Sequence, residues 1–243
     1  MASCALCQKE RPLRNSHVFP EFLYNAVYDD LHRFEVFSSD TSKRKSFVQQ
    51  GLRERLLCAD CEQNLSRHER YASLFLSGKL PNIQSSRKGD LVEVTGVDYT
   101  HFKLFGLSIL WRAGIASHAM FEKVKLGPHQ ECLRQMILHG KPGAPAEYGF
   151  FLTVLVHEKE VLPDLMASPT PARLHGRICY RFVFGGLVWL FTVTRSLPSS
   201  PVRDAFLSRG GRMLMLVTEL KDIRFLVEAA ASILGSYEDR DAF

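Results

Sequence analysis

The sequence predicts an α+β protein: a four-cysteine metal module at the N-terminus, then an α+β domain with a small antiparallel sheet. Three observations lead there. Four of the six cysteines fall in two tight pairs, Cys4-x2-Cys7 and Cys58-x2-Cys61. A strongly apolar segment of helical length runs from about His101 to Ala119. From Tyr148 onward, β-branched and aromatic runs alternate with turn residues.

Composition sets the frame. With 46% hydrophobic and 23% charged residues, the chain can bury a normal core, which excludes a disordered or collagen-like protein. The net charge is +5, but residues 1–75 hold 11 Lys/Arg against 10 Asp/Glu. Four thiolates and one zinc ion would bring that module to about −1, so overall charge does not argue for strong nucleic-acid binding. The run Lys43-Arg44-Lys45 is the one short basic patch that suits phosphate. The longest apolar stretch, Phe182 to Thr194, is 13 residues and contains Gly185-Gly186, too short for the roughly 20 residues of a membrane span. Met1-Ala2-Ser3-Cys4 has neither the basic start nor the apolar run of a secretory leader. The expectation is a cytoplasmic, reducing setting, where paired cysteines read as metal ligands more than as disulfides.

Along the chain, residues 1–20 read as a knuckle and a short hairpin ending at Pro20. Residues 21–33 read as a helix, because Phe22 and Ala26, like Leu23 and Val27, sit four apart. A Ser-rich loop follows, with a strand at Ser46 to Gln50. The second knuckle leads into a helix from about Glu62 to Phe75. Gly78, Pro81, Ser85, Ser86 and Gly89 make 78–90 the best boundary, separating a module over 1–77 from a domain over 91–243. That domain is expected to hold a strand at Leu91 to Val97 and helices at His101–Ala119 and His129–His139. Strands at Phe150–His157, Arg177–Phe184, Leu187–Thr194 and Met213–Thr218 follow, with a last helix at Asp222–Leu234. Gly185-Gly186 is the turn pair of a tight hairpin.

Two CxxC knuckles supply the four sulfurs of a closed tetrahedral zinc site, with no open position for catalysis. The metal ligands are therefore Cys4, Cys7, Cys58 and Cys61. Neither pair sits between the strand and helix of a βαβ unit, as a redox pair would. Cys132 and Cys179 read as free buried thiols, and His118, His129, His139 and His157 have no ligand spacing to one another.

Between the knuckles lies Asn15-Ser16-His17-Val18-Phe19-Pro20, and a helix follows the second pair. On these residues the segment 4–70 resembles the zinc-containing HNH (ββα-metal) endonucleases. The resemblance implies a treble-clef-like scaffold and a metal-dependent nuclease acting on nucleic acid. His17 would be the general base. Glu62, at the position after the last cysteine, would ligate a catalytic Mg²⁺ or Mn²⁺, with His68 the next choice on the same helix. Three positions depart from the family pattern: Ser16 where an acidic residue is usual, Glu62 where His or Asn is usual, and Leu52-Arg53-Glu54-Arg55 where an Asn is usual. These departures keep a second expectation open, a non-catalytic zinc-binding scaffold that contacts a protein partner or a second copy of the chain. The segments Gly51–Glu62 and Phe102–Arg112 also resemble a set of uncharacterised bacterial proteins, which implies a bacterial setting and no particular activity. Phe102 to Trp111 reads by itself as a buried helix, with Arg112 as a charge at its edge.

Overall fold

The structure, a computed structural model, describes residues 2–36, 46–49, 51–196, 201–228 and 231. The basic run at 43–45 and the end of the expected C-terminal helix lie outside them.

The N-terminal part is built from short pairings. Strands β1 (Ala2–Ser3) and β2 (Glu10–Arg11) close the first knuckle as an antiparallel pair. Strand β3 (Leu13–His17) crosses to β6 (Arg53–Cys58), while β4 (Arg33–Val36) and β5 (Ser46–Gln49) form a separate hairpin between them. Helix α1 (Ala59–Leu76) starts on the second knuckle, with Cys58 as its N-cap.

The helix expected over 21–33 is a single 3-10 turn, Glu21–Leu23, followed by further turns. Tertiary packing overrides the helical spacing here. Tyr24 is fully buried and its hydroxyl accepts the Leu52 N–H at 3.2 Å. Its ring packs 5.4 Å from Phe34, a contact that turns the chain back on itself.

The remainder is one large sheet with helices on it. The strands are β7 (Gln84–Lys88), β8 (Leu91–Thr95), β9 (Phe150–His157), β10 (Glu160–Val161), β11 (Ala167–Leu174), β12 (Arg177–Phe184), β13 (Leu187–Thr192) and β14 (Met213–Glu219). Their order is β11-β12-β13-β9-β14-β8-β7, with β10 on the end of β9. The sheet therefore has eight strands and is not small. Nor is it wholly antiparallel, since β14 runs parallel to β9. Two strands were hidden by their composition. Strand β11 carries Pro169 and Pro171, which a sheet tolerates at an edge, and it pairs through a bulge. Strand β7 is polar and fully exposed at the opposite edge, inside the 78–90 segment. Gly185 and Gly186 both take positive φ (61° and 74°) in the two-residue turn joining β12 to β13, as a hairpin of this hand requires.

Helix α2 (Tyr99–Ile115) starts at Asp98, whose carboxylate accepts the His101 N–H at 2.8 Å. It ends at Ile115, four residues before the expected Ala119. It is buried around nearly its whole circumference, because it lies between the sheet and the N-terminal part. Phe102 meets Trp189 of β13 at 5.6 Å on one side and Phe75 of α1 at 4.7 Å on the other. Gly106 lets Phe150 approach: a Cβ there would fall 2.4 Å from the ring. Helix α3 (His129–Leu138) packs beside α2, and a short helix, α4 (Pro201–Asp204), precedes β14. Phe19, four residues after Asn15, reaches the sheet directly, with Phe184 and Phe182 of β12 at 5.2 and 6.0 Å, and it meets Phe121 of the 3-10 turn at 119–121 at 5.1 Å. One hydrophobic cluster thus runs from Cys4 through α2 to Met213. Among the described residues, no helix is long and apolar enough to cross a membrane.

Candidate metal centre and the ribbon beside it

The first knuckle turns between β1 and β2, where the Gln8 N–H bonds to the Cys4 carbonyl at 2.8 Å. The second sits where β6 becomes α1, so that Cys61 projects from the first helical turn. Pairing of β3 with β6 brings the two together, and the Ala5 N–H bonds to Leu56 O at 2.9 Å.

All four cysteine sulfurs lie within 4.8 Å of one another. Cys7 Sγ and Cys58 Sγ are 3.9 Å apart. Four sulfurs at about 2.3 Å from a tetrahedral ion stand about 3.8 Å apart, so this donor set fits zinc. The Cys58 N–H donates to Cys4 Sγ at 3.3 Å. Burial raises the Cys4 thiol, but the amides of Cys7, Cys58 and Leu6 outweigh it and bring the group down to about 7. Burial, with the sulfurs of Cys58 and Cys4, pushes Cys61 up. Four thiols this close, three of them buried, cannot all lose protons by themselves, whereas a divalent ion makes four thiolates the favoured state. Arg134 of α3 braces the first knuckle by donating to Leu6 O at 2.5 Å, and Glu131 holds its guanidinium in turn. Among the described residues, these cysteines are the single group of three or more Cys, His, Asp or Glu able to hold a metal.

His17 ends β3 and is partly exposed. Its Nε2 lies 2.5 Å from Glu21 Oε2 and accepts from Arg53 Nε at 2.8 Å. The two contacts ask opposite things of one nitrogen: the carboxylate favours a protonated Nε2, the guanidinium a bare one. Glu21 also takes the Tyr28 hydroxyl at 2.8 Å. Burial alone would raise the Glu21 carboxyl, but Tyr28, His17 and Arg53 hold it below its ordinary value. The register pairs Asn15 with Arg55 and His17 with Arg53, so these four side chains share one face of the ribbon. Asn15 and Arg55 are exposed there.

Glu62 and His68 both lie on α1. Glu62 Oε1 is buried and accepts no hydrogen bond from the described residues. His68 packs against His101 of α2. Sequence reasoning missed Arg112 as a partner of the His17 backbone, and Glu69 as the partner of Arg112. Arg112 is not an edge charge; it is 1% exposed, lies 2.8 Å from Glu69 Oε1, and donates to the His17 carbonyl at 2.9 Å. It is 95 positions from His17 in the chain, so no local signal marked it. Cys179 is buried and Cys132 half-buried, both as free thiols.

Compared with protein-family models, with curated proteins and with solved structures, the chain matches none.

Proposed function

We propose that the chain is a nucleic-acid-binding protein with an HNH-like, zinc-organised module, and that the β3–β6 ribbon meets the phosphodiester backbone. The register of the ribbon carries this reading, because it groups Asn15, His17, Arg53 and Arg55 on one face. Arginine and asparagine are donors suited to phosphate oxygens. The order strand, strand, helix around the cysteines is also the order of the ββα scaffold. Zinc, when bound, supplies folding energy to two knuckles that have little core of their own. Affinity is modest and salt-sensitive, given a module of near-neutral charge.

The test is fluorescence anisotropy of the zinc-loaded protein with duplex DNA and structured RNA at two salt concentrations. Arg55→Ala should weaken binding across sequences and lower the salt slope by about 1. Absence of any salt-dependent binding leaves the protein-contacting scaffold as the reading.

A second reading, hydrolysis, is favoured by the contact between His17 Nε2 and Glu21. In the tautomer with its proton on Nε2, that nitrogen donates to Glu21, which orients the ring as a general-base histidine requires, and Arg53 competes for the same atom. Glu62 is the divalent-metal ligand in this reading, and its buried, unbonded Oε1 suits that role. Beyond the cysteines, the described residues offer no group of three or more metal-ligating side chains around Glu62, so no step is drawn through Mg²⁺ or Mn²⁺. Plasmid or RNA cleavage with either ion, lost in His17→Ala, would establish this reading; equal inactivity of both proteins would remove it.

A further inference from the structure

Two imidazoles meet between α1 and α2, away from the cysteines. The rings of His68 and His101 stand with centroids 5.2 Å apart and planes at 57°. That is neither a stack nor an edge contact. An imidazole nitrogen about 2.05 Å from a tetrahedral ion puts its ring centroid about 3.2 Å from that ion, and two such centroids about 5.2 Å apart.

The polar atoms agree with the spacing. Nδ1 of His68 is buried and has no hydrogen-bond partner among the described residues. Nδ1 of His101 is likewise buried and makes no hydrogen bond among the described residues, but it lies 3.2 Å from Asp98 Oδ1. A carboxylate this close to one ring nitrogen is placed to orient the ring once the other nitrogen meets a metal. Asp98 is itself fixed, because its backbone N–H donates to the Tyr71 hydroxyl at 2.6 Å and its carboxylate caps α2. The nearest cationic side chain on α1, Arg67, is exposed and turned to Asn64.

We propose that His68 and His101 form a second, open metal site, with Asp98 as the positioning residue. Two neutral imidazoles select Zn²⁺, Ni²⁺ or Cu²⁺ over Mg²⁺ and Ca²⁺. The site joins α1 to α2 and is independent of the nucleic-acid reading, since it uses none of the ribbon's residues.

The test starts from protein carrying one zinc on its cysteines. Calorimetric titration with Zn²⁺ should show one further equivalent, and Mg²⁺ none. His68→Gln and His101→Gln should each abolish that equivalent while keeping the first. Asp98→Asn, which preserves the helix cap, should weaken it about 10–100-fold. Nitrogen-15 spectra of the unaltered protein provide a readout without substitution: the His68 and His101 ring signals should move with the second equivalent. The proposal is overturned if no second equivalent binds, if binding survives both glutamine variants, or if other histidines move instead.

Discussion

Arg112 Nη2 lies 2.8 Å from Glu69 Oε1, and this ion pair ties α2 to α1 directly beneath His17. The arginine also reaches Ser108 O and Ser108 Oγ, so its guanidinium is held from several sides within the core. Removing the charge strands a partly buried carboxylate and deprives the His17 carbonyl of its donor. Arg112→Met should therefore destabilise the protein by about 3–5 kcal/mol, as when one member of a buried pair is removed. The urea midpoint measures this; a shift no larger than that of an exposed Arg→Met control would show that the pair contributes little.

Phe19 places the N-terminal segment in the core of the sheet, against Phe121, Phe182 and Phe184. Phe19→Ala should cost about 3–5 kcal/mol. Because the hydrophobic cluster is continuous, circular dichroism and tryptophan fluorescence should lose their signals in a single shared transition. Two separated transitions would show that the metal module unfolds independently of Trp111 and Trp189.

Gly106 faces Phe150 with no room for a side chain. Gly106→Ala should destabilise by about 1–3 kcal/mol through overpacking, despite alanine's better helix propensity. A thermal midpoint raised by the substitution would contradict the close approach of α2 to β9.

Lys103 is wholly buried, and burial pushes its amine down to about 7 from 10.5. Its Nζ donates to Tyr148 O at 3.0 Å and Pro145 O at 3.2 Å. Between those two values the unfolded chain binds the proton more tightly than the folded one, so stability rises with pH across that window. The slope is at most about 1.4 kcal/mol per pH unit. Lys103→Met should lack that rise. Urea melts of both proteins between pH 7 and 10 decide it; parallel curves would refute the burial penalty.

The four-cysteine cluster was legible because CxxC spacing is a local property of the chain. Strands β9, β12 and β13 were legible because Phe150–His157, Arg177–Phe184 and Leu187–Thr192 are dense in β-branched and aromatic residues. Strands β7 and β11 were not, since edge positions accept the polar and proline-containing sequences that argue against a strand. The segment after Pro20 has helical spacing, but Tyr24 satisfies long-range partners that spacing cannot reveal. The surroundings of His17 depend on the β3–β6 register, including a shift between Leu13 and Asn15. Arg53 was visible as a residue, and its place opposite His17 was not.

The zinc-organised module is the foundation of the proposed function, and X-ray absorption at the zinc edge tests it most directly. Protein purified with one equivalent of zinc should show four sulfur neighbours at about 2.3 Å and no nitrogen or oxygen in the first shell. A first shell containing imidazole or water, or protein that folds fully without retaining zinc, would contradict the assignment of Cys4, Cys7, Cys58 and Cys61 as the ligands.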